Sequence, residues 1–308
     1  MKIFAFDPAE HRATYAAQGW VHVPGGLHPD FLDLLQERTR AMRQEAALNG
    51  QGLAGAKEQY LFEFPAETDF PNELFSAVAA VTALDATTLT LSERHIKVYD
   101  DDADPEPQPH KDRYASQVAV GLSIDVPEGS TLVLYPDDER QVNPFLSTAF
   151  RASLPPERQP ERALRGAREV VIADSPGDVV IFPGSSTWHL RRRSAGATNL
   201  YVKMNSFGSD PLSEDPSTPL LRERTERLLA GGGLDDAIPR LSRRYDSATR
   251  TVRRDGSEEL VAEVWGHPPV PLGEADLALL RAVDGRRTAG ELGVDAVRRL
   301  AAAGVLDL

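Results

Sequence analysis

The sequence predicts a mainly β protein, a rolled antiparallel double sheet flanked by helices, followed by a small separate helical unit. Three observations carry this. Four short apolar runs, 94–99, 117–124, 130–136 and 178–183, are separated by proline- and glycine-bearing turns. A His-Lys-Asp segment lies between two of these runs, and a histidine follows another, 79 positions on. After a linker-like passage, helical periodicity returns in the last fifty residues.

In chain order, residues 30 to 48 read as an amphipathic helix. Asp30 is placed to cap it, and Phe31, Leu34, Leu35, Thr39 and Met42 recur at helical spacing. Such a helix should pack on the outside of a sheet. Tyr60, Phe62 and Phe64 alternate in strand fashion, either lining a pocket or belonging to the core. Arg94 to Tyr99 is a strand, and an acidic, proline-broken loop from Asp100 to Pro109 follows. His110-Lys111-Asp112 therefore stands at the mouth of the strand Gln117–Ile124. Ser130–Pro136 follows a Pro-Glu-Gly turn, and Asp178–Pro183 follows a Pro-Gly turn. Between them, residues 143 to 167 hold prolines, arginines and glutamates around one apolar patch, Phe145 to Phe150, which suits either a lid or a surface insertion. His189 closes the strand that follows. The triple arginine Arg191-Arg192-Arg193 reads as a solvated hairpin, or as a source of one guanidinium at a pocket mouth.

His110, Asp112 and His189 form a candidate face of two imidazoles and one carboxylate. Such a set fills three adjacent positions of an octahedron and leaves three open for substrate and dioxygen, which suits non-heme Fe(II). The same trio is also compatible with zinc hydrolysis. Each residue has a structural alternative, an ordinary loop pair for His110 and Asp112 and a satisfied core histidine for His189. Other chemistries lack parts: there is no G-x-S-x-G elbow, no G-x-x-x-x-G-K-[ST] loop, and no G-x-G-x-x-G after a strand.

Composition narrows the field. With no cysteine, disulfides, thiolate metal sites and cysteine nucleophiles are excluded. A net charge of −13 argues against general binding to nucleic acid or anionic membrane. The chain shows no run of eighteen apolar residues and no secretory signal pattern, so a cytoplasmic location is expected.

The order of strand, H-x-D, strand, turn, aliphatic strand ending in Pro136, then Gly177-Asp178-Val179-Val180-Ile181-Phe182-Pro183 and His189 resembles the phytanoyl-CoA dioxygenase-like branch of the Fe(II)/2-oxoglutarate oxygenases. Residues 18 to 31 resemble that branch's opening, a strand leading into a long helix. The similarity spans about residues 14 to 208. It implies a double-stranded β-helix, or jelly-roll, core that holds Fe(II) on His110, Asp112 and His189. It further implies 2-oxoglutarate and dioxygen as co-substrates and C–H oxidation of a small molecule, such as an amino acid or biosynthetic intermediate. One departure stands out. The family places an arginine some ten to fifteen positions after the second histidine to grip the far carboxylate of 2-oxoglutarate, and residues 197–205 contain none. Lys203, on a strand whose other face carries Leu200, Val202 and Met204, is the first replacement, with Lys97 the second and the hydroxyls of Tyr99 and Thr131 as helpers.

The expected organisation is a jelly-roll domain over 1–210, a linker and helix over 211–257, and a module over 258–308 that resembles a winged helix. Residues 211–308 hold 14 basic against 17 acidic side chains, so docking or homodimer formation fits this region better than DNA binding. Two alternatives to a small-molecule oxygenase remain, a protein or peptide hydroxylase and a metal-free jelly-roll binding protein.

Overall fold

The computed structural model describes residues 1–48, 57–137, 141–144 and 147–308. Two compact units emerge, Met1–Phe207 and Gly208–Leu308. In the first, the strands are β1 (Val21–Val23), β2 (Lys57–Leu61), β3 (Thr90–Tyr99), β4 (Val118–Asp125), β5 (Thr131–Tyr135), β6 (Val170–Ile172), β7 (Val179–Phe182), β8 (Trp188–Arg192) and β9 (Thr198–Asn205). Its helices are α1 (Arg12–Gln18), α2 (Pro29–Leu48), α3 (Phe70–Thr82), α4 (Ser147–Ser153) and α5 (Pro160–Ala163).

Among the described residues, six strands form one antiparallel sheet in the order β1-β7-β4-β9-β3-β2, and three form a second in the order β6-β5-β8. From β4 onward the chain visits the large sheet, the small sheet twice, the large, the small and the large again. This alternation is a jelly roll.

The side-chain alternation of the strands sorts the two faces of the large sheet. Val118, Val120 and Leu122 of β4, with Leu200, Val202 and Met204 of β9, pack beneath Phe31 and Leu35 of α2 and Leu74 and Val78 of α3 in one apolar core. The opposite face brings Ala119, Val180 and Phe182 against Leu132, Leu134 and Ile172 of the small sheet. Strands buried on both faces read as continuous apolar runs, which is why β4 and β7 were visible in the sequence.

The aromatic alternation at 60–64 belongs to the core. Phe62 is buried, and Phe31, Phe62, Phe64 and Phe70 stack or meet edge-on. Helix α3 was missed by the sequence reading, although Leu74, Ala77, Val78 and Val81 recur at helical spacing behind a proline in the first turn. In the turn before β7, Gly177 sits at φ 92° and Asp178 accepts hydrogen bonds from the backbone N–H groups of Gly25 and Ser175. His22 Nε2 lies 2.8 Å from the same carboxylate, so one aspartate ties the opening strand to the roll. Phe145 and Leu146 of the apolar patch lie outside the described residues. The rest of the 143–167 segment folds into α4, a 3-10 turn and α5.

The second unit contains α6 (Ser217–Gly231), β10 (Arg240–Leu241), β11 (Tyr245–Val252), β12 (Glu258–Val264), β13 (Val270–Pro271), α7 (Glu274–Ala282), α8 (Ala289–Leu292), α9 (Val294–Ala302) and β14 (Leu306–Asp307). Thr288 caps α8 in a reciprocal box with Glu291. The β11–β12 hairpin spans the 257/258 boundary at which the sequence was divided, and β11 lies in the stretch read as linker and helix. The unit therefore mixes sheet and helix around its own core of Leu234, Val264, Leu279, Val297 and Leu300. Among the described residues, no helix is long and apolar enough to cross a membrane.

Leu122 is fully buried between the large sheet and its helices. Leu122→Ala should lower unfolding stability by about 2–5 kcal/mol in denaturant titration, the range for such a truncation in a packed core.

Candidate metal centre

The two halves of the metal face meet through the backbone. The His110 N–H donates to the His189 carbonyl at 3.0 Å, and the His189 N–H donates back at 2.9 Å. This two-way bridge sets the imidazoles side by side with ring centroids 4.4 Å apart. Two residues on, the Asp112 N–H donates to the Gly184 carbonyl at 2.9 Å, and Asn143 Nδ2 donates to the Asp112 carbonyl at 2.9 Å. Successive side chains of an extended segment point to opposite sides. Lys111 accordingly leaves the face formed by its neighbours, donates to the Gln141 carbonyl and lies over the Trp188 and Phe150 rings.

One ligand atom from each of His110, Asp112 and His189 lies within 4.8 Å of the others. His110 Nε2 is 3.9 Å from Asp112 Oδ1, and His189 Nε2 is 3.9 Å from Asp112 Oδ2. Donors ~2.1 Å from one ion and at right angles stand about 3 Å apart, so closure needs movements on the order of 1 Å per side chain. The tautomer of His189 is also settled. Its Nδ1 faces the Thr187 carbonyl at 2.9 Å, and since a carbonyl only accepts, Nδ1 carries the proton and Nε2 offers its lone pair. Gly184 completes the cradle, because a Cβ there would stand 2.6 Å from Asp112 Oδ2. The residues present fit a divalent metal.

Charge compensation runs outward from Asp112. Lys203 Nζ lies 2.9 Å from Asp112 Oδ1 and 3.1 Å from Glu93 Oε1. Glu93 also meets Lys97 at 3.3 Å and Arg113 at 3.0 Å. Burial would raise the Asp112 carboxyl, but Lys203, His189, Lys97 and His110 outweigh it and hold the group below the usual carboxylate range. Burial likewise opposes ionisation of Glu93, and Lys203 and Lys97 overcome it. Burial pushes His189 down, toward the neutral form that ligates.

Farther along the same face of β8 lies Arg191, one of the three arginines for which the sequence allows either a solvated hairpin or a guanidinium at a pocket mouth. The structure buries it. Its guanidinium forms two hydrogen bonds to Asp174, at 3.1 and 2.7 Å, and reaches Ser130 Oγ and Asn199 Oδ1, each at 3.3 Å. Arg191 Nε and Asn199 Nδ2 are nevertheless buried without a hydrogen-bond partner among the described residues. A buried donor left unpaired is costly, and these two belong to side chains already in contact through Arg191 Nη2 and Asn199 Oδ1 at 3.3 Å. Tyr99 belongs to the same region, where burial first and then Tyr201 push its phenol above the ordinary range. The signal for Arg191 was its parity: two residues after His189 on one strand, it shares that residue's face.

The four co-substrate candidates, Lys203, Lys97, Tyr99 and Thr131, fall in different places. Lys203 stands against Asp112 and lines the cavity beside the metal face. Thr131 lies on the side of β5 that carries Val133 and Tyr135, opposite the inward Leu132 and Leu134. Lys97 lines the cavity beside the metal face and is engaged with Glu93. That cavity measures about 340 Å³ and is bounded by β3, β9, the His110–Arg113 segment and Arg151 of α4.

No family model matches the chain, and no curated protein matches it. Solved structures do resemble it. The non-heme α-ketoglutarate-dependent epimerase SnoN from nogalamycin biosynthesis is 16% identical, over 65% of this chain and 85% of its own, with a TM-score of 0.43. A prolyl-4-hydroxylase from Pseudomonas putida is 14% identical over 66% and 94%, with a TM-score of 0.41. AviO1 from Streptomyces viridochromogenes is 15% identical over 65% and 95%, with a TM-score of 0.43. The chemistry of this chain has to be read from its own residues.

Gly184→Ala should push the Asp112 carboxylate off its position and weaken Fe(II) or Co(II) binding about 10- to 100-fold, the usual effect of losing a ligand's support. Metal titration reads this directly. A melting temperature close to wild type would place the effect at the ligand rather than in the fold.

Proposed function

We propose that this chain is an Fe(II)- and 2-oxoglutarate-dependent oxygenase that oxidises a C–H bond of a small molecule. The observation that carries the reading is a single run of chemistry along one face of β8. His189 of the two-histidine, one-aspartate face shares it with Arg191, whose Nε is unpartnered among the described residues, as is Nδ2 of the neighbouring Asn199 of β9. With the metal on His110, Asp112 and His189, Arg191 and Asn199 would supply the donors for a second carboxylate of a bound keto acid.

When bound, Fe(II) and 2-oxoglutarate together supply the means to activate dioxygen and oxidise the substrate. His110, Asp112 and His189 would hold the metal. Lys203 holds Asp112 Oδ1, so that the carboxylate presents a fixed orientation. Arg191 Nε and Asn199 Nδ2 would meet the far carboxylate, and the buried phenol of Tyr99, kept protonated by its surroundings, would remain a hydrogen-bond donor. Leu132, Leu134, Val180 and Phe182 wall the interior and exclude water from it. The anchor that the family places on the strand after the second histidine would thus stand on that histidine's own strand, with Asn199 occupying the later position. An Fe(II) centre of this kind needs a reducing compartment, which accords with a cytoplasmic setting and a chain without cysteine.

Anaerobic titration of Fe(II)-loaded protein with 2-oxoglutarate, followed by succinate measurement after admission of oxygen, tests the assignment. Asp112→Ala should abolish succinate formation and leave the fold intact. Removing Arg191 alone would strand Asp174, so Arg191→Gln is paired with Asp174→Asn. This double variant should weaken 2-oxoglutarate binding by about 2–5 kcal/mol, the range for losing a desolvated charge partner. Lys203→Ala should weaken metal binding first. If Lys203→Ala instead abolishes 2-oxoglutarate affinity while the double variant binds normally, Arg191 is not the anchor.

A further inference from the structure

We propose that the substrate is a small, polar, anionic molecule whose carboxylate is received by Arg113 and Arg151. The inference rests on the reading above, in which the cavity beside His110 and Asp112 is the substrate site.

Small-molecule sites are usually lined mostly by apolar and aromatic side chains. This cavity is not. Among the described residues of its lining, Pro109 alone is apolar. Apolar surface there comes mainly from side-chain stems, so orientation and selectivity rest on charge and hydrogen bonding. Its volume, about 340 Å³, lies at the small end of the range for such pockets.

The sign of the charge follows from which groups are already committed. Asp112 belongs to the metal face. Glu93 is surrounded by Lys97, Lys203 and Arg113 at 3.0 to 3.3 Å, so it serves as their counter-ion and is a poor receiver for a substrate amine. Four basic side chains, Lys97, Arg113, Arg151 and Lys203, thus face two carboxylates in the lining, with a third, Glu161, behind Arg151, an excess of one. A divalent metal would raise the excess by two charges, and a dianionic keto acid would cancel only that addition. The residual positive charge favours an anion, in a chain whose net charge is −13.

Exposure orders the cations. The Lys203 and Lys97 side chains are 5% and 12% exposed and lie inside, whereas those of Arg113 and Arg151 are 18% and 40% exposed, toward solvent. Arg113 lends one nitrogen to Glu93, and Arg151 lends one to Glu161. A guanidinium carries five donors in a planar fork, so an arginine already paired on one edge can still receive a carboxylate. Gln59 and Gln108 add amides that would read hydroxyl or amino groups on the same molecule.

The test uses full-length protein loaded with Co(II), whose visible absorption reports on the centre without turnover. 2-Oxoglutarate is added first, and failure to bind it would refute the oxygenase reading itself. With 2-oxoglutarate saturating, a panel of hydroxy, amino and sugar acids from malate to gluconate is titrated, each against its own carboxamide. At least one acid should bind ten-fold or more tightly than its amide. Arg113→Gln or Arg151→Gln should bring that ratio close to one, the more exposed Arg151 serving if the Arg113 variant does not fold. Amides that bind as well as acids, acids that all fail at millimolar concentration, or a ratio unchanged in both variants would overturn the proposal while leaving 2-oxoglutarate binding intact.

Discussion

The two-way hydrogen bond between the His110 and His189 backbones is the constraint on which the site depends. It joins a loop leaving the large sheet to a strand of the small one, and it brings together ligands that lie 79 residues apart. Because the bridge is made by main-chain groups, side-chain identity is left free for chemistry. Asp112 is then placed by its own backbone bond to Gly184, and the absence of a side chain at Gly184 leaves room for the carboxylate.

A second constraint is electrical. The roll interior buries Glu93, Asp112, Lys203, Asp174 and Arg191, and an unpaired charge in such a place costs several kcal/mol. The chain meets this with two clusters. Asp112, Lys203 and Glu93 compensate one another at the metal end, with Lys97 and Arg113 behind them. Arg191 and Asp174 form the second pair on the inner part of β8. Under the proposed function, the first cluster would orient a metal ligand and the second would offer donors to a bound carboxylate.

Much of this was legible in the sequence. The β4, β5 and β7 runs stood out because strands buried on two faces are continuously apolar, and the Pro-Gly turns marked their limits. The metal face was legible because H-x-D and the later histidine each sat beside such a run. Other features were hidden for physical reasons. Arg191 lies in a triple arginine whose neighbour Arg192 turns toward Glu106 and Glu169; parity with His189 marks the inward member, but its partner Asp174, 17 residues away, is visible only in the fold. Lys203 looked like a free cation because its partners, Asp112 and Glu93, come from segments 91 and 110 residues away in sequence. The hairpin of the second unit escaped because β11 is polar and largely exposed, and only Ala262 and Val264 of the short Leu260-Ala262-Val264 alternation of β12 reach the core.

The central claim is that a metal on His110, Asp112 and His189 and a keto acid reaching toward Arg191 occupy one continuous site. The most direct measurement is a crystal structure of the protein with Fe(II) and 2-oxoglutarate, grown without oxygen. The account predicts one metal bound by those three side chains, with the far carboxylate of 2-oxoglutarate within hydrogen-bond distance of Arg191 Nε or Asn199 Nδ2. A metal held by other residues, or a 2-oxoglutarate whose far carboxylate rests on Lys203 or outside the roll, would contradict it.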